Sequence, residues 1–466
     1  MLNKQLGLLR GPLFVSALWA SSSVSGQWQS LSGGVDEFVR CFVASPDSST
    51  LLVGGNFKYV RQGSDSLLAA GLARWDGISW SISDLSPPPL DSIPSVSRYV
   101  LSVLEVADTI FTSHGGSVWP NSPQLDRAAM LSGSIWESFG EPDQMLDFKQ
   151  LNHRYFVGGE ASTVFGSFMP GVREWKNGTL VQLPGSPFTQ NVDIFGFEHW
   201  HGKFYFAGNT WGELGSSDIV AYDGDSTWSG VGGGMGSGWL RAVAGLGDSL
   251  YVGGYFFEGG NNLSTHVQIF DGSAWQPFFP QIEYFGQVWD IQTYHGALYV
   301  FGSYHFVGDT TSYGLLRFDG RELCAIGGNM PYGSSGHMAF FQNSLYLPLF
   351  SEWPPDLAWQ WVGYLPLDGL VPDTCITISQ TSVQERERAV LQVYPNPASN
   401  TLTVTFGNGQ VLQEIYVLDM TGRIVYRTSA IGARSIQLDV ASYPTGVYSI
   451  MAIGSGYSSS CRFIKD

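Results

Sequence analysis

The chain has 466 residues, a formal net charge of −17, 58 glycines, 14% aromatic residues and only 14% charged residues. That length exceeds one small core and calls for several domains, or one large repetitive domain with attachments. Few charges and abundant glycine suit short buried strands joined by tight turns. Residues 391–466 hold five basic and four acidic residues, so the acidity belongs to the rest of the chain. An acidic body without a basic patch excludes nucleic acid as a partner.

In chain order, residues 1–26 read as a secretory signal peptide. Lys4 and Arg10 precede an apolar run at 11–20, and Val24-Ser25-Gly26 provides small residues before Gln27. The run is shorter than the ~20 residues that span a bilayer, and no later segment qualifies, so no transmembrane segment is expected. No segment alternates at helical spacing, which makes helix a minor component.

An apolar strand ending in glycine then recurs. Copies stand at Leu51-Leu52-Val53-Gly54-Gly55, Tyr155-Phe156-Val157-Gly158-Gly159, Phe204-Tyr205-Phe206-Ala207-Gly208, Leu250-Tyr251-Val252-Gly253-Gly254 and Leu298-Tyr299-Val300-Phe301-Gly302, with weaker ones at Ile110-Phe111 and Leu345-Tyr346-Leu347. Each is followed by a second strand and a tight turn, often with Trp three residues after its glycine: Asp76-Gly77 with Trp80, Ser132-Gly133 with Trp136, Asn177-Gly178, Asp223-Gly224 with Trp228, Asp271-Gly272 with Trp275, Asp319-Gly320 and Asp368-Gly369. Asp-Gly and Asn-Gly between apolar runs are strong hairpin signals, because the turn needs positive φ. The turns are spaced by 56, 45, 46, 48, 48 and 49 residues, the length of one four-stranded propeller blade.

Each repeat has a further strand before the glycine-ended one, as at Leu240-Arg241-Ala242-Val243-Ala244, and a fourth beginning at the Trp. The last repeat lacks its fourth strand. Trp28-Gln29-Ser30-Leu31 is spare at the start, so first and last should pair, closing the ring and removing the open edge. The expectation is an all-β chain with about seven blades over residues 27–375. The glycine-ended strand followed by tryptophan resembles kelch-type repeats of secreted bacterial propellers, although turn and Trp stand in a different order. That resemblance speaks to architecture and little to activity.

Cys41, Cys324, Cys375 and Cys461 form no C-x-x-C pair, so no zinc or redox motif is present. Export permits disulfides, and Cys324 with Cys375 is the favoured pair. Residues 376–390 turn polar and read as a linker.

The remainder, 391–466, alternates short strands and turns as a small immunoglobulin-like sandwich does. It opens with Val393-Tyr394-Pro395-Asn396-Pro397, passes a Thr421-Gly422-Arg423 turn and the strand Pro444-Thr445-Gly446-Val447-Tyr448, and ends in Phe463-Ile464-Lys465. In that order these motifs resemble the type A sorting domain of the type IX secretion system. The resemblance implies handling by that machinery in a Bacteroidetes-type bacterium, passage through the outer membrane and removal of the domain. The cargo is then released or attached to surface lipopolysaccharide.

The connection before each glycine-ended strand and the Asp-Gly connection are short and share one side of the ring; the long connections share the other. Loops over a rigid scaffold are where function concentrates. Those segments carry the ligand-binding candidates Trp119, Trp211, Tyr255, Phe256, Tyr304, His305 and Trp353, aromatic side chains of the kind that stack on sugar rings or anchor proteins. The bland alternative is that they pack over the blades. His199-Trp200-His201 lacks a third metal ligand and reads as turn-flanking, and the hairpin Asp residues read as turn formers. No metal or cofactor is expected, and no catalytic residue is assigned. The leading reading is a secreted or cell-surface binding or adhesion protein for a glycan or a surface protein. A polysaccharide-active lyase or hydrolase and a structural matrix component stand as alternatives.

Overall fold

The computed structural model describes residues 28–83, 85, 99–115, 128–138, 145–160, 171–188, 192–209, 213–235, 237–258, 266–278, 282–284, 287–306, 313–328, 336–349, 361–377, 391–406, 412–419, 424–429, 435–454 and 457–466. The expected signal peptide and most of the expected linker lie outside them. Among the described residues there is no α-helix, only one short 3-10 turn at Glu213–Gly215.

Antiparallel four-stranded meanders follow one another along the chain. The first comprises Val39–Ala44, Leu51–Gly55, Leu72–Trp75 and Trp80–Ser81; the second runs from Tyr99–Val106 to Ile135–Ser138. The third and fourth begin with Met145–Leu151 and Asp193–Trp200, the fifth with Ser237–Leu246 and the sixth with Asp290–Tyr294. The last holds Ala339–Phe341, Ser344–Pro348 and Val362–Pro366, and its outer strand is Gln29–Ser30, with Gln29 opposite Tyr364 and Ser30 opposite Gly363. The start of the chain therefore completes the final sheet.

A single meander cannot bury both faces, so the apolar cores lie between neighbours. Leu104, Phe111 and Ala128 of the second meander pack with Phe148 and Val157 of the third. Leu250, Val252 and Val243 of the fifth meet Ile219 and Ala221 of the fourth. Phe341, Tyr346 and Val362 of the last meet Phe42, Leu51 and Val53 of the first. Sheets that touch successively and join last to first form a β-propeller, with each meander a blade.

Two repeated details explain the sequence signals. First, the Trp at the start of the outer strands is a fastener between blades. Trp80 Nε1 donates to Leu31 O at 2.7 Å, Trp228 to Pro184 O at 2.9 Å, Trp275 to Val231 O at 3.1 Å and Trp136 to Leu85 O at 3.3 Å. Trp28 does the same to Gly327 O at 2.6 Å. Each acceptor lies at the outer strand of the preceding blade or just beyond it, so an indole buried for its area also finds its obligatory partner.

Second, the glycine-ended strands face bulges in the innermost strands. The register shifts between Val39 and Cys41, between Ile194 and Gly196 and between Leu240 and Ala242. A bulge pushes the partner backbone close. A Cβ on Gly208 would sit 1.8 Å from Asp193 O, and one on Gly254 would sit 2.1 Å from Trp239 O. Only glycine fits there.

The hairpin carboxylates do the work of turns. Asp223 Oδ1 accepts from the N–H groups of Asp225, Ser226 and Thr227 at 2.9, 3.0 and 3.0 Å, and these bonds hold its carboxyl down at about 2. Asp271 is built the same way, with Ser273 and Ala274 as donors.

Cys324 and Cys375 are joined by a disulfide. It fastens Thr374–Thr377 to the outer strand Glu322–Ala325 of the sixth blade. That strand reaches two residues into the segment expected to be linker. Beyond it, Leu391–Tyr394, Thr401–Phe406 and Ser435–Asp439 form one sheet, and the strands Leu412–Leu418, Ile424–Ser429, Gly446–Gly454 and Tyr457–Lys465 form another. Leu402, Val404, Ile415, Val417, Ile450 and Phe463 fill the core between them.

Candidate functional site

The bulges that demand the glycines also set the side chains around the axis of the ring. A bulge puts two residues opposite one and re-aims the extra side chain. The extra residues are Arg40, Leu101, Phe195 and Arg241 on the first, second, fourth and fifth blades. Trp289 occupies the same place on the sixth: its N–H donates to Phe301 O, whose register partner is Asp290. These residues stand on the half of the innermost strands nearer the long connections.

Around Arg241 three rings converge. Its guanidinium lies 5.3 Å from the centroid of Phe195, 5.8 Å from Trp239 and 5.4 Å from Trp289, within cation–π range. Phe195 and Trp239 stack at 6.4 Å with 24° between their planes. Trp239 remains 39% exposed. On the first blade Arg40 repeats the arrangement, 5.5 Å from the Phe38 centroid and 5.4 Å from that of Tyr99, with Nε donating to Asn56 Oδ1 at 3.2 Å.

One register step inward the same position reads Cys41, Ser102, Asp147, Gly196, Ala242 and Asp290 on the first six blades. His337, just before the innermost strand of the last blade, joins this tier. Its Nε2 lies 3.8 Å from Asp147 Oδ2 and its Nδ1 lies 3.7 Å from Asp290 Oδ2. The imidazole thus bridges carboxylates from two other blades. Ser102 Oγ donates to Asp147 Oδ1 at 2.7 Å. Asp290 Oδ2 accepts from Gln292 Nε2 at 2.8 Å and from the Met338 N–H at 2.9 Å.

These contacts set the charges. Burial works against protonation of His337, but its close contact with Asp290 and the charges of Asp147 and Asp290 outweigh it and raise the imidazole above its ordinary value. Burial likewise opposes ionisation of Asp290, yet the contact with His337, the charge of Lys149 and the Met338 N–H hold its carboxyl below the ordinary range. The tier sets one imidazole between two carboxylates.

Of the residues expected to bind ligand, Trp119, Trp211 and Trp353 lie outside the described residues. Tyr255, Phe256, Tyr304 and His305 are on strands rather than loops. The strands Ser249–Glu258 and Ala297–Phe306 each run ten residues, with Trp239 opposite Tyr255 and His305 opposite Glu283. Tyr304 is a correction: it is 1% exposed, and its hydroxyl donates to backbone carbonyls of Val300 and Gly314. Its ring fills the core between the fifth and sixth blades. The other two imidazoles considered do not converge. His201 sits in a turn at φ 48° against Trp200, and His199 packs on Phe204. Glu322 approaches Cys324 and Cys375, but those sulfurs are bonded to each other and offer no thiolate to a metal.

Comparison with known proteins identifies one part of the chain. Residues 392–466 match the secretion system C-terminal sorting domain. The chain carries a type IX export tail. Proteins with this tail are delivered to the cell surface or the extracellular space, and handling by the type IX machinery follows for this chain. No curated protein matches the sequence. Among solved structures, apo AztD from Citrobacter koseri is 9% identical, with 86% of this chain and 98% of that chain covered and a TM-score of 0.31. A quinonprotein alcohol dehydrogenase-like protein from Bacteroides thetaiotaomicron is 12% identical, with 88% and 79% covered and a TM-score of 0.26.

Proposed function

We propose that this exported chain is a surface or extracellular binding protein. Its propeller, a ring of seven blades over residues 27–375, holds a glycan or a surface protein at the long-connection mouth of the channel. The observation that carries the reading is Trp239. A large aromatic ring is left 39% exposed while its position is fixed by Phe195 and Arg241, and a preordered ring gives contact area at small entropic cost. The test is binding of the full chain to glycan arrays and to cell-surface material. Trp239→Ala should weaken binding at least tenfold without lowering the melting temperature by more than a few degrees; unchanged binding removes the site.

A second reading, a polysaccharide-active lyase or hydrolase, is favoured by Asp147, Asp290 and His337, since carboxylates and an imidazole are the ingredients of general acid–base chemistry. Turnover of a polymer that disappears in Asp147→Asn would decide for it. Binding is preferred because Ser102, Gln292 and the Met338 N–H already engage the two carboxylates.

A further inference from the structure

The chain leaves the ring by a route that none of the other blades uses. In the first six, the tight turn leads into that blade's own outer strand. In the last, the Asp368-Gly369 turn is kept, with Gly369 at φ 70°, but Gln29–Ser30 already occupies the outer place beside Val362–Pro366. The segment that follows crosses back to the sixth blade. There Thr374–Thr377 pairs antiparallel with Glu322–Ala325, Cys375 stands opposite Cys324, and the two are bonded.

Contacts hold the crossing down. The Leu367 N–H donates to Asn343 O at 3.1 Å and the Asp373 N–H to Ala325 O at 2.9 Å, while Asp373 Oδ2 accepts from the Gly328 N–H at 2.6 Å. Leu367 and Leu370 pack on the core that contains Trp28, Cys324, Leu345 and Leu365. Residues 367–377 are a strap laid over the junction that ring closure creates.

We infer that this strap is a mechanical clamp: its disulfide passes load arriving from the export tail to the sixth blade, so that the last blade is not peeled from the ring. The tail is the part handled by the secretion machinery, and it joins the propeller beyond Cys375. Cys324 and Cys375 are 51 residues apart. The three strands that the last blade takes from this stretch, Ala339–Phe341, Ser344–Pro348 and Val362–Pro366, all lie inside the loop that the bond closes. Tension between the tail and any residue before Cys324 crosses the disulfide and bypasses that loop. Trp239 and the axial residues Asp147 and Asp290 precede Cys324.

Without the bond the path changes. The four register pairs of Thr374–Thr377 would be pulled from the Thr377 end and would open one after another, each hydrogen bond adding little. Force would then reach Val362–Pro366, which pairs with Ser344–Pro348 on one side and Gln29–Ser30 on the other. Among the described residues Gln29–Ser30 has no other strand partner, so losing Val362–Pro366 opens the ring and bares a sheet edge. The point of attachment is firmer. Cys324 lies opposite Arg317 in a strand paired with Tyr313–Phe318, and Leu323 and Ala325 on either side are buried in the core between the fifth and sixth blades.

The experiment stretches the full chain in optical tweezers, with one handle on the exposed turn residue Ile78 and the other at the C-terminus, with and without a thiol reductant. Cys375 is exposed to it. The reduced chain should show an early event, the release of the last blade, at lower force than the main unfolding of the propeller, because forced unfolding reads the unfolding rate of the part under load. The oxidised chain should lack that event, and its full extension should be shorter by about 180 Å, the reach of the 51 closed residues at about 3.6 Å each. Cys324→Ser with Cys375→Ser should behave as the reduced chain. Should that variant fail to fold, reduction of the unaltered chain still decides. A first propeller event at the same force in both states overturns the clamp. Alkylation of both cysteines without reductant, read by peptide mass, overturns it as well, since the bond would then be unformed. Neither result depends on what the mouth binds.

Discussion

At the outer edge of the ring, Trp28, Trp80, Trp136, Trp228 and Trp275 all perform the same act, an indole N–H given to a carbonyl of the preceding blade. At the axis, one register position carries Cys41, Ser102, Asp147, Gly196, Ala242 and Asp290 on successive blades, with His337 closing the tier. The edge is neutral and repetitive, and the axis is charged and irregular. A repeat kept at every turn serves the scaffold, because each blade faces the same packing problem. Where the repeat is abandoned, packing no longer dictates the residue, and that is where a site can be built.

If this contrast holds, substitutions at the edge should cost stability and spare binding, and substitutions at the mouth should do the reverse. The largest loss is expected for Trp275→Ala, which empties a core position and removes the indole donor from Val231 O, leaving that carbonyl to the Gly234 N–H and Ser216 Oγ. About 3–5 kcal/mol is the scale for a buried aromatic, read as a fall in melting temperature with glycan affinity unchanged. Next is Cys324→Ser with Cys375→Ser. The disulfide closes a separation of 51 residues, for which chain entropy allows about 4 kcal/mol at most. Denaturant titration of the reduced and oxidised chain should show this gap, again without effect on binding.

The axis offers a pH test between these extremes. His337 is raised in the folded chain, so its stabilising contribution is complete below the unfolded value of about 6.5 and is lost as pH rises through the higher folded value. Asp290 is lowered, so its contribution is present above the unfolded value of about 3.9 and is lost as pH falls through the lower folded one. Melting temperature should therefore plateau in the mildly acidic range and fall toward alkaline pH. His337→Gln should flatten the alkaline fall; a slope identical to that of the unaltered chain would show that the imidazole bridges nothing. The smallest effect on stability belongs to Trp239→Ala, about 1 kcal/mol for the loss of one aromatic stack at a partly exposed ring, yet its effect on binding should be the largest of the set. A Trp239→Ala chain that melts several degrees lower while binding normally would erase the distinction between edge and mouth.

The repeat unit could be read without a structure because its signals are local. Asp223-Gly224 and Asp271-Gly272 mark hairpins through their own backbone requirements, and the spare strand at Trp28-Gln29-Ser30-Leu31 announced ring closure by simple shortage at the other end. The reason for Gly254 was not local: it answers a bulge in the facing strand. The place of Tyr304 was not local either. Tyr304 reads as a loop aromatic, but it lies inside the strand Ala297–Phe306 and its ring is buried between the fifth and sixth blades. The matching Phe38-Val39-Arg40 and Trp239-Leu240-Arg241 triplets were a legible signal, since both precede a Gly-Gly strand, but their meaning depends on the bulge.

Sequence alone determined the elements: strand, turn, period, the order of repeats and the export tail, each specified by residues adjacent along the chain. The tertiary structure decided what meets at the axis. Asp147, Asp290 and His337 are separated by up to 190 residues (147 to 337) and come together only because the blades close into a ring. No pattern of neighbouring residues encodes that distance; it follows from the number of blades and the angle at which each buries its faces against the next.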